Sequence, residues 1–544
     1  MKIVIAEKIS AAAIKLFREE TEWKVVTADD IKTGVAAELA GADALIVRSA
    51  VYVDGPMLEH ADKLRVIGRA GVGVDNIDLE AATKKGIAVM NTPGANAVAV
   101  AEHTLGLMLD MARQISRANE LMHAGKWEKK SLQGWELRGK TLGVVGLGRI
   151  GIEVAKRAVA FGMNVVAHDP YISPALVRDL GVKLVDLDEA FSTADYLSLH
   201  VALTPQTTGL INAESIKKMK KGVRIVNCAR GELVNEGALA EGLKSGQVAG
   251  AALDVFAQEP LKSSPLLAPD VPNILLTPHI AGSTYEAQDA VGVQIAMQVK
   301  EYLKSGVIQN AVNVPSLTHD EFVQINPYVG LGERLGGFVA QTTSGNVEGI
   351  SIRYSGPIAD WKTELVRNAV IKGILNQGSA DTANLVNAAK MAAERGIQIR
   401  EAHKPQGSVG GSANVLTVEL KSSQDERVVK GSVLHGNSPR LLSVDGIDVE
   451  APLADNLIFM RNRDVPGVIG AVGTILGEQG VNIAAFSLGR GERNAAGAEA
   501  GSGGKALEPA EAVAVVHIDG PAPGAVLEKL AKIPAVRSVR AVHL

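Results

Sequence analysis

One short segment does most to decide what this chain can fold into. Gly146-Leu147-Gly148-Arg149-Ile150-Gly151 stands between an apolar run, TLGVV, and the helical pattern RIGIEVAKRAVAFG. In such a turn the first glycine makes the tight bend, the second lets backbone approach a pyrophosphate, and the third lets helix pack on strand. The helix N-terminus then stabilises negative charge. A second strand-like run, NVVAHD, ends in Asp169, 18 residues after Gly151, where a carboxylate takes ribose hydroxyls. That carboxylate repels a 2′-phosphate, so the turn is expected to hold NAD rather than NADP.

The rest of the chain fits around this turn. Residues 140–280 alternate strand-like runs (YLSLHVAL, VRIVNCAR, AALDVF, ILLTPH) with helical stretches, and residues 1–97 do the same (KIVIAE, ALIVRS, LRVIGRAG, IAVMNTP). Runs this apolar, closed by Gly, Asp or Pro, predict doubly wound parallel sheets. Composition agrees: 46% of residues are hydrophobic but only 3% aromatic, so the cores must be built from Ala, Val, Leu and Ile. Asn96 is the expected N-cap of a long helix, NAVAVAEHTLGLMLDMARQI. The helix pattern TYEAQDAVGVQIAMQVKEYLKS (284–305) is expected to cross back onto the first domain. Residues 315–452 show strand-like runs around helices near 361–376 and 382–395, and residues 456–544 read βαββαβ, a ferredoxin-like unit. The Gly/Ala-rich insert at 491–512 reads as a flexible loop.

A net charge of −4 excludes a nucleic-acid protein that works through bulk positive charge. With Cys228 the sole cysteine, no intrachain disulfide and no cysteine zinc site can form, which fits a reducing compartment. No metal site is expected. The N-terminus MKIVIAE predicts no signal peptide, and no run of about 18 apolar residues predicts a membrane span. A cytoplasmic protein is expected.

Three charged residues follow strand-like runs, where open α/β sheets bind ligands: Arg230 in VNCARG, Glu259 in DVFAQEP and His279 in TPHIAG. Oxidising a secondary alcohol needs a base for the hydroxyl proton, and histidine suits that work near neutral pH. A carboxylate such as Glu259 would orient the imidazole and favour its charged form. Arginine offers a planar fork for a substrate carboxylate and polarises a carbonyl oxygen.

These segments carry a resemblance. GRAGVGVDNID (68–78), the glycine turn, NCARGELVNEGAL (227–239), AALDVFAQEP (251–260) and TPHIAGST (277–284) resemble the D-2-hydroxyacid dehydrogenase family over residues 1 to about 312. The resemblance implies Arg230 as substrate anchor, Glu259 as partner of the histidine, and His279 as general acid and base. It implies that Arg149 and Ile150 turn their amides to the pyrophosphate, and that Val201, Cys228, Asp254 and Gly282 line the adenosine and nicotinamide sites. Gly71, Val72 and Gly73 would offer backbone N–H groups to the substrate carboxylate.

Arg48 in VRSA and Arg69 in GRAG close first-domain strands facing the cleft. The phosphoglycerate dehydrogenases of this family use a basic cluster there for phosphate, which guanidinium binds well. The segment GKWEKKS (125–131) resembles the stretch such enzymes present to a neighbouring subunit. The last unit resembles an ACT domain, carried by RDVPGVIGAVGTILGEQGVNIAAFSLGR (463–490), with Pro466 at the expected first helical position. By that pattern Asp464 and Asn482 would hold L-serine between two paired domains.

The expected architecture is therefore α/β. A discontinuous flavodoxin-like substrate domain (1–97 and 283–312) holds a Rossmann NAD domain (98–282), followed by an α+β intervening domain (315–452) and a ferredoxin-like ACT domain (455–544). The resemblance implies a homotetramer that oxidises 3-phosphoglycerate with NAD, opening L-serine biosynthesis. Two other readings fit the residues: a dehydrogenase for an unphosphorylated 2-hydroxyacid, and a nucleotide-sensing regulator without catalysis.

Overall fold

The computed structural model describes residues 1–377, 382–405, 414–491 and 510–544, so most of the 491–512 insert lies outside the described residues. The first sheet has five parallel strands in the order Lys24–Val26, Lys2–Ile5, Ala44–Val47, Val66–Arg69, Ala88–Met90. This is the flavodoxin-like order, and its strand order reverses between the strand ending at Ile5 and the one ending at Val47. All four residues of Ala44–Val47 are buried, as parallel strands covered on both faces require.

The second sheet has seven parallel strands: Ile274–Leu276, Val248–Leu253, Val223–Asn227, Tyr196–Leu199, Thr141–Val145, Asn164–His168 and Val182–Leu184. Its reversal lies between Thr141–Val145 and Tyr196–Leu199, where the glycine turn begins. The helix Tyr285–Ser305, capped by the Thr284 hydroxyl, leaves this lobe and returns to the first. There Ile295 and Val299 are fully buried, each contributing about 2 kcal/mol of apolar burial. A Cβ on Gly68 would lie 2.8 Å from Ile295 and 2.9 Å from Val299, so this glycine is what lets helix and strand meet.

The inter-lobe helix differs from expectation in two ways. Asn96 holds the N-cap position of Ala97–Arg113, yet its side chain makes no capping bond. The helix also stops at Gln114, whose φ of 54° turns the chain into a second helix, Ile115–His123.

The C-terminal half carries a six-stranded mixed sheet, with Val347–Ser355 parallel to Gln398–Lys404 and the remaining pairs antiparallel. A helix that the sequence reading did not anticipate, His319–Thr342, covers it, opened by a Thr318/Glu321 capping box and containing Pro327. Its glycines serve close packing. A Cβ on Gly336 would lie 2.2 Å from Val370 O, and one on Gly373 2.1 Å from Glu333 O, so the helices His319–Thr342 and Glu364–Leu375 touch backbone to backbone.

The last four strands form an antiparallel sheet in the order Ile483–Arg490, Glu511–Ile518, Asn456–Arg463, Val536–His543, as βαββαβ predicts. Both faces are covered: Ile458 and Met460 pack under the two helices of this unit, while Leu457 and Phe459 join the core beneath His319–Thr342. Phe338 and Phe459 meet edge to face at 5.4 Å. Pro466 lies two residues before the first helical position, Val468, where it was expected. It precedes the N-cap Gly467, whose left-handed φ of 92° starts the helix Val468–Glu478. Among the described residues no helix is long and apolar enough to cross a membrane.

Candidate active site

The glycine turn has the shape a dinucleotide needs. Gly146 takes φ 93°, and a Cβ there would lie 2.6 Å from His200 O and 2.8 Å from Val201. A Cβ on Gly151 would lie 2.1 Å from Gly146 O, whereas nothing stands within 4 Å of that position on Gly148. Crowding on one side and open space on the other leaves the first-turn amides of helix Arg149–Ala160, Ile150 among them, free to face an anion. Asp169 reaches back to the turn, accepting from Leu147 N at 2.8 Å and from Tyr171 N at 2.9 Å. These residues fit NAD. Arg149 also donates to Pro93 O at 2.7 Å, across to the segment that joins the lobes. Cys228 is buried in the sheet, and that burial pushes its thiol up to about 12, so it is an inert wall.

His279 and Glu259 come together: Nδ1 lies 2.7 Å from Glu259 Oε2, with half of the imidazole exposed. The carboxylate fixes which nitrogen is engaged and leaves Nε2 for a substrate. Glu259 is itself held, its Oε1 accepting from Phe256 N at 3.0 Å. His279 has φ 53°, a left-handed conformation costing a non-glycine residue on the order of 1–3 kcal/mol. Asp254, fully buried, accepts from Thr277 Oγ1 at 2.5 Å, Ile280 N at 2.9 Å and Ala281 N at 2.9 Å, and so holds the turn on which His279 sits. Gly282 follows, beside Asn96 of the joining segment.

Arg230 meets the first lobe. Its Nε donates to Asp75 Oδ2 at 3.1 Å, and a Cβ on Gly73 would lie 2.1 Å from its Nη2. The loop Gly71–Val72–Gly73 is pinned by Asn91 Nδ2, which donates to Val72 O at 2.6 Å. The Arg69 guanidinium folds over Gly71, mostly buried with Nε unpartnered. Burial first, and then the charge of Arg230, push it down to about 10. Arg48 adds a third cation to this group. Its backbone is held by Glu7, whose carboxylate accepts from Arg48 N, Ala50 N and Val51 N at 2.7–3.1 Å. Arg48, Lys8, Ala70 and Tyr285 line an open cavity of about 420 Å³ at the switch point of the first sheet.

Asp464 pairs with Arg490 at 3.5 Å, and Asn482 donates to Asp519 at 2.7 Å. Sequence reasoning missed Glu7, Asp75, His103 and Thr277. Glu7 and Asp75 follow strands whose ends could have been scanned for acids facing the arginines. His103 and Thr277 carry no local signal.

The chain is similar to known proteins. The profile described as "D-isomer specific 2-hydroxyacid dehydrogenase, NAD binding domain" matches residues 105–281, and that of the "D-3-phosphoglycerate dehydrogenase intervening domain" matches 324–445. The D-3-phosphoglycerate dehydrogenase of Methanocaldococcus jannaschii is 42% identical over the whole of both chains. The chain belongs to the D-3-phosphoglycerate dehydrogenase family. A second member, from Synechocystis, is 38% identical over 100% of this chain and 95% of its own. A crystal structure of a Thermus thermophilus protein, 36% identical, matches with a TM-score of 0.52 over 57% of this chain and all of its own. As a D-3-phosphoglycerate dehydrogenase family member the chain is an oxidoreductase with an NAD-binding domain.

Proposed function

We infer that the protein oxidises 3-phosphoglycerate to 3-phosphohydroxypyruvate with NAD, the first step of L-serine biosynthesis. The observation that carries the chemistry is the 2.7 Å pair of His279 and Glu259, and Arg230 stands against the first-lobe loop at Gly73. Arg230 and the amides of Gly71 and Val72 bind the substrate carboxylate, and Arg48 with Arg69 draws the phosphate toward the cavity beside Lys8. His279 Nε2 takes the C2 hydroxyl proton while Glu259 stabilises the imidazolium that results. Arg230 polarises the oxygen as it becomes a carbonyl. NAD, when bound, supplies the nicotinamide ring that accepts hydride from C2. Gly146, Gly148, Arg149, Ile150 and Gly151 cradle its pyrophosphate, Asp169 takes the ribose hydroxyls, and Val201, Cys228, Asp254 and Gly282 shape the pocket.

In this reading residues 1–97 with 283–312 bind substrate, 98–282 bind NAD, 315–452 intervene and 455–544 form an ACT regulatory domain. L-serine binds at Asp464 and Asn482 where two copies pair, and lowers turnover by coupling between distinct sites. The protein works as a cytoplasmic homotetramer. The test is NADH oxidation with 3-phosphohydroxypyruvate, with and without L-serine, beside His279→Ala. Turnover that the substitution abolishes supports the chemistry, and suppression by serine supports the sensor. Activity on a plain 2-ketoacid alone sinks the phosphorylated substrate.

A further inference from the structure

The helix Ala97–Arg113 starts from the segment joining the two lobes and reaches the turn that carries His279. Its His103 has Nε2 3.1 Å from Thr277 Oγ1 and 3.4 Å from Asp254 Oδ1. The Thr277 hydroxyl donates to the same Oδ1, so its lone pair accepts from His103 Nε2–H. Asp254 in turn accepts from the amides of Ile280 and Ala281, and its own carbonyl takes the His279 N–H at 2.8 Å. The backbone on either side of the base is thus bonded to one buried residue. A left-handed histidine persists only where its surroundings over-determine it.

We propose that His103 is a positioning residue for the dehydrogenation: through Thr277 and Asp254 it holds the left-handed turn on which His279 meets Glu259. A carboxylate with no exposed surface needs compensation. Its other three donors are one hydroxyl and two amides, and His103 supplies the fourth from the facing helix. Burial raises the Asp254 carboxyl, but the His103 contact, with Thr277 and the two amides, draws it below the ordinary carboxylate range. Kept ionised, Asp254 accepts both amides at once. Without His103 the turn loosens and the Nδ1–Glu259 contact is lost for part of the time. The reaction slows, while the residues that grip substrate stay in place.

The proposal rests on His279 as the base, so four variants of the full chain are compared: His103→Leu, His103→Gln, Thr277→Val and His279→Ala. Steady-state kinetics with 3-phosphohydroxypyruvate and NADH are combined with histidine 15N NMR, which reads the tautomer of His279. In His103→Leu, kcat is expected to fall about tenfold while both KM values move less than threefold, and the Nδ1-protonated signal of His279 becomes averaged. Thr277→Val, cutting the same link from its other end, reproduces that split even where the leucine variant folds poorly. His103→Gln, whose amide replaces the donor, recovers kcat to within threefold of the parent. Parent-like kcat and an unchanged His279 signal in folded His103→Leu overturn the proposal, as does a glutamine variant no better than leucine. Parent-like turnover in His279→Ala overturns the base assignment and this proposal together.

Discussion

Asn384 donates its side-chain amide to Gly86 O at 2.8 Å, tying the third unit of the chain to the first lobe. Gly86 closes the helix Leu79–Lys84, and the N-cap of that helix, Asp78, lies two residues after Asn76, which donates to Arg48 O, and three after Asp75, which accepts from Arg230. Lys390 pairs with Glu80 of the same helix at 3.0 Å. Asn384→Ala should leave uninhibited kcat within twofold and cost about 1 kcal/mol of stability. If serine inhibits, its apparent inhibition constant should rise at least threefold. A serine titration with unchanged midpoint and depth would show that the message travels elsewhere.

Arg230 is held by Asp75 and faces the Gly73 backbone, so its planar fork is oriented before substrate arrives. Arg230→Lys keeps the charge but not the fork. The KM for 3-phosphohydroxypyruvate should rise about 10- to 100-fold, equivalent to about 1.4–2.8 kcal/mol, with KM for NADH changed far less. Equal rises in both would contradict a substrate-anchoring role.

His200 lies partly buried behind the glycine turn, its Nε2 2.8 Å from Ser198 Oγ. Burial pushes its imidazole down from 6.5 to about 4. Between those pH values the unfolded chain takes up a proton that the folded protein refuses. The stability linked to this group is therefore whole above pH 6.5 and declines as pH falls toward 4, by about 1.4 kcal/mol per unit. Urea unfolding at pH 5 and pH 7 should differ less in His200→Gln than in the parent, and an identical difference would refute the linkage.

Cys228 should behave as a packed hydrophobe. Its thiol, pushed up to about 12 by burial, is protonated at pH 8, so Ellman's reagent should label the folded protein at least 100-fold more slowly than the urea-unfolded chain. Rapid labelling with loss of activity would place the sulfur in an open, electropositive setting instead.

What the sequence discloses here follows from how local each signal is. Gly146, Gly148, Gly151 and Asp169 belong to one strand–turn–helix–strand stretch, and the spacing along the chain is nearly the spacing in space. Both parallel sheets were legible for the same reason: each strand is a short apolar run closed by a turn residue. His103 and Thr277 are 174 positions apart, and only the packing of helix Ala97–Arg113 on the second sheet makes them neighbours. Helix His319–Thr342 was hidden by its composition. Pro327 and its several glycines weaken a helical pattern, yet Gly336 is required there because the next helix passes too close for a Cβ.

The strand Asn456–Arg463 of the last sheet is covered on both faces. Phe459 presses on Phe338 on one side while Ile458 lies under Val472 and Leu530 on the other, so this unit cannot peel from its neighbour without opening a core to water. The two C-terminal units are therefore built as a single lever arm. One of its grips on the first lobe is the amide of Asn384 on the end of one short helix.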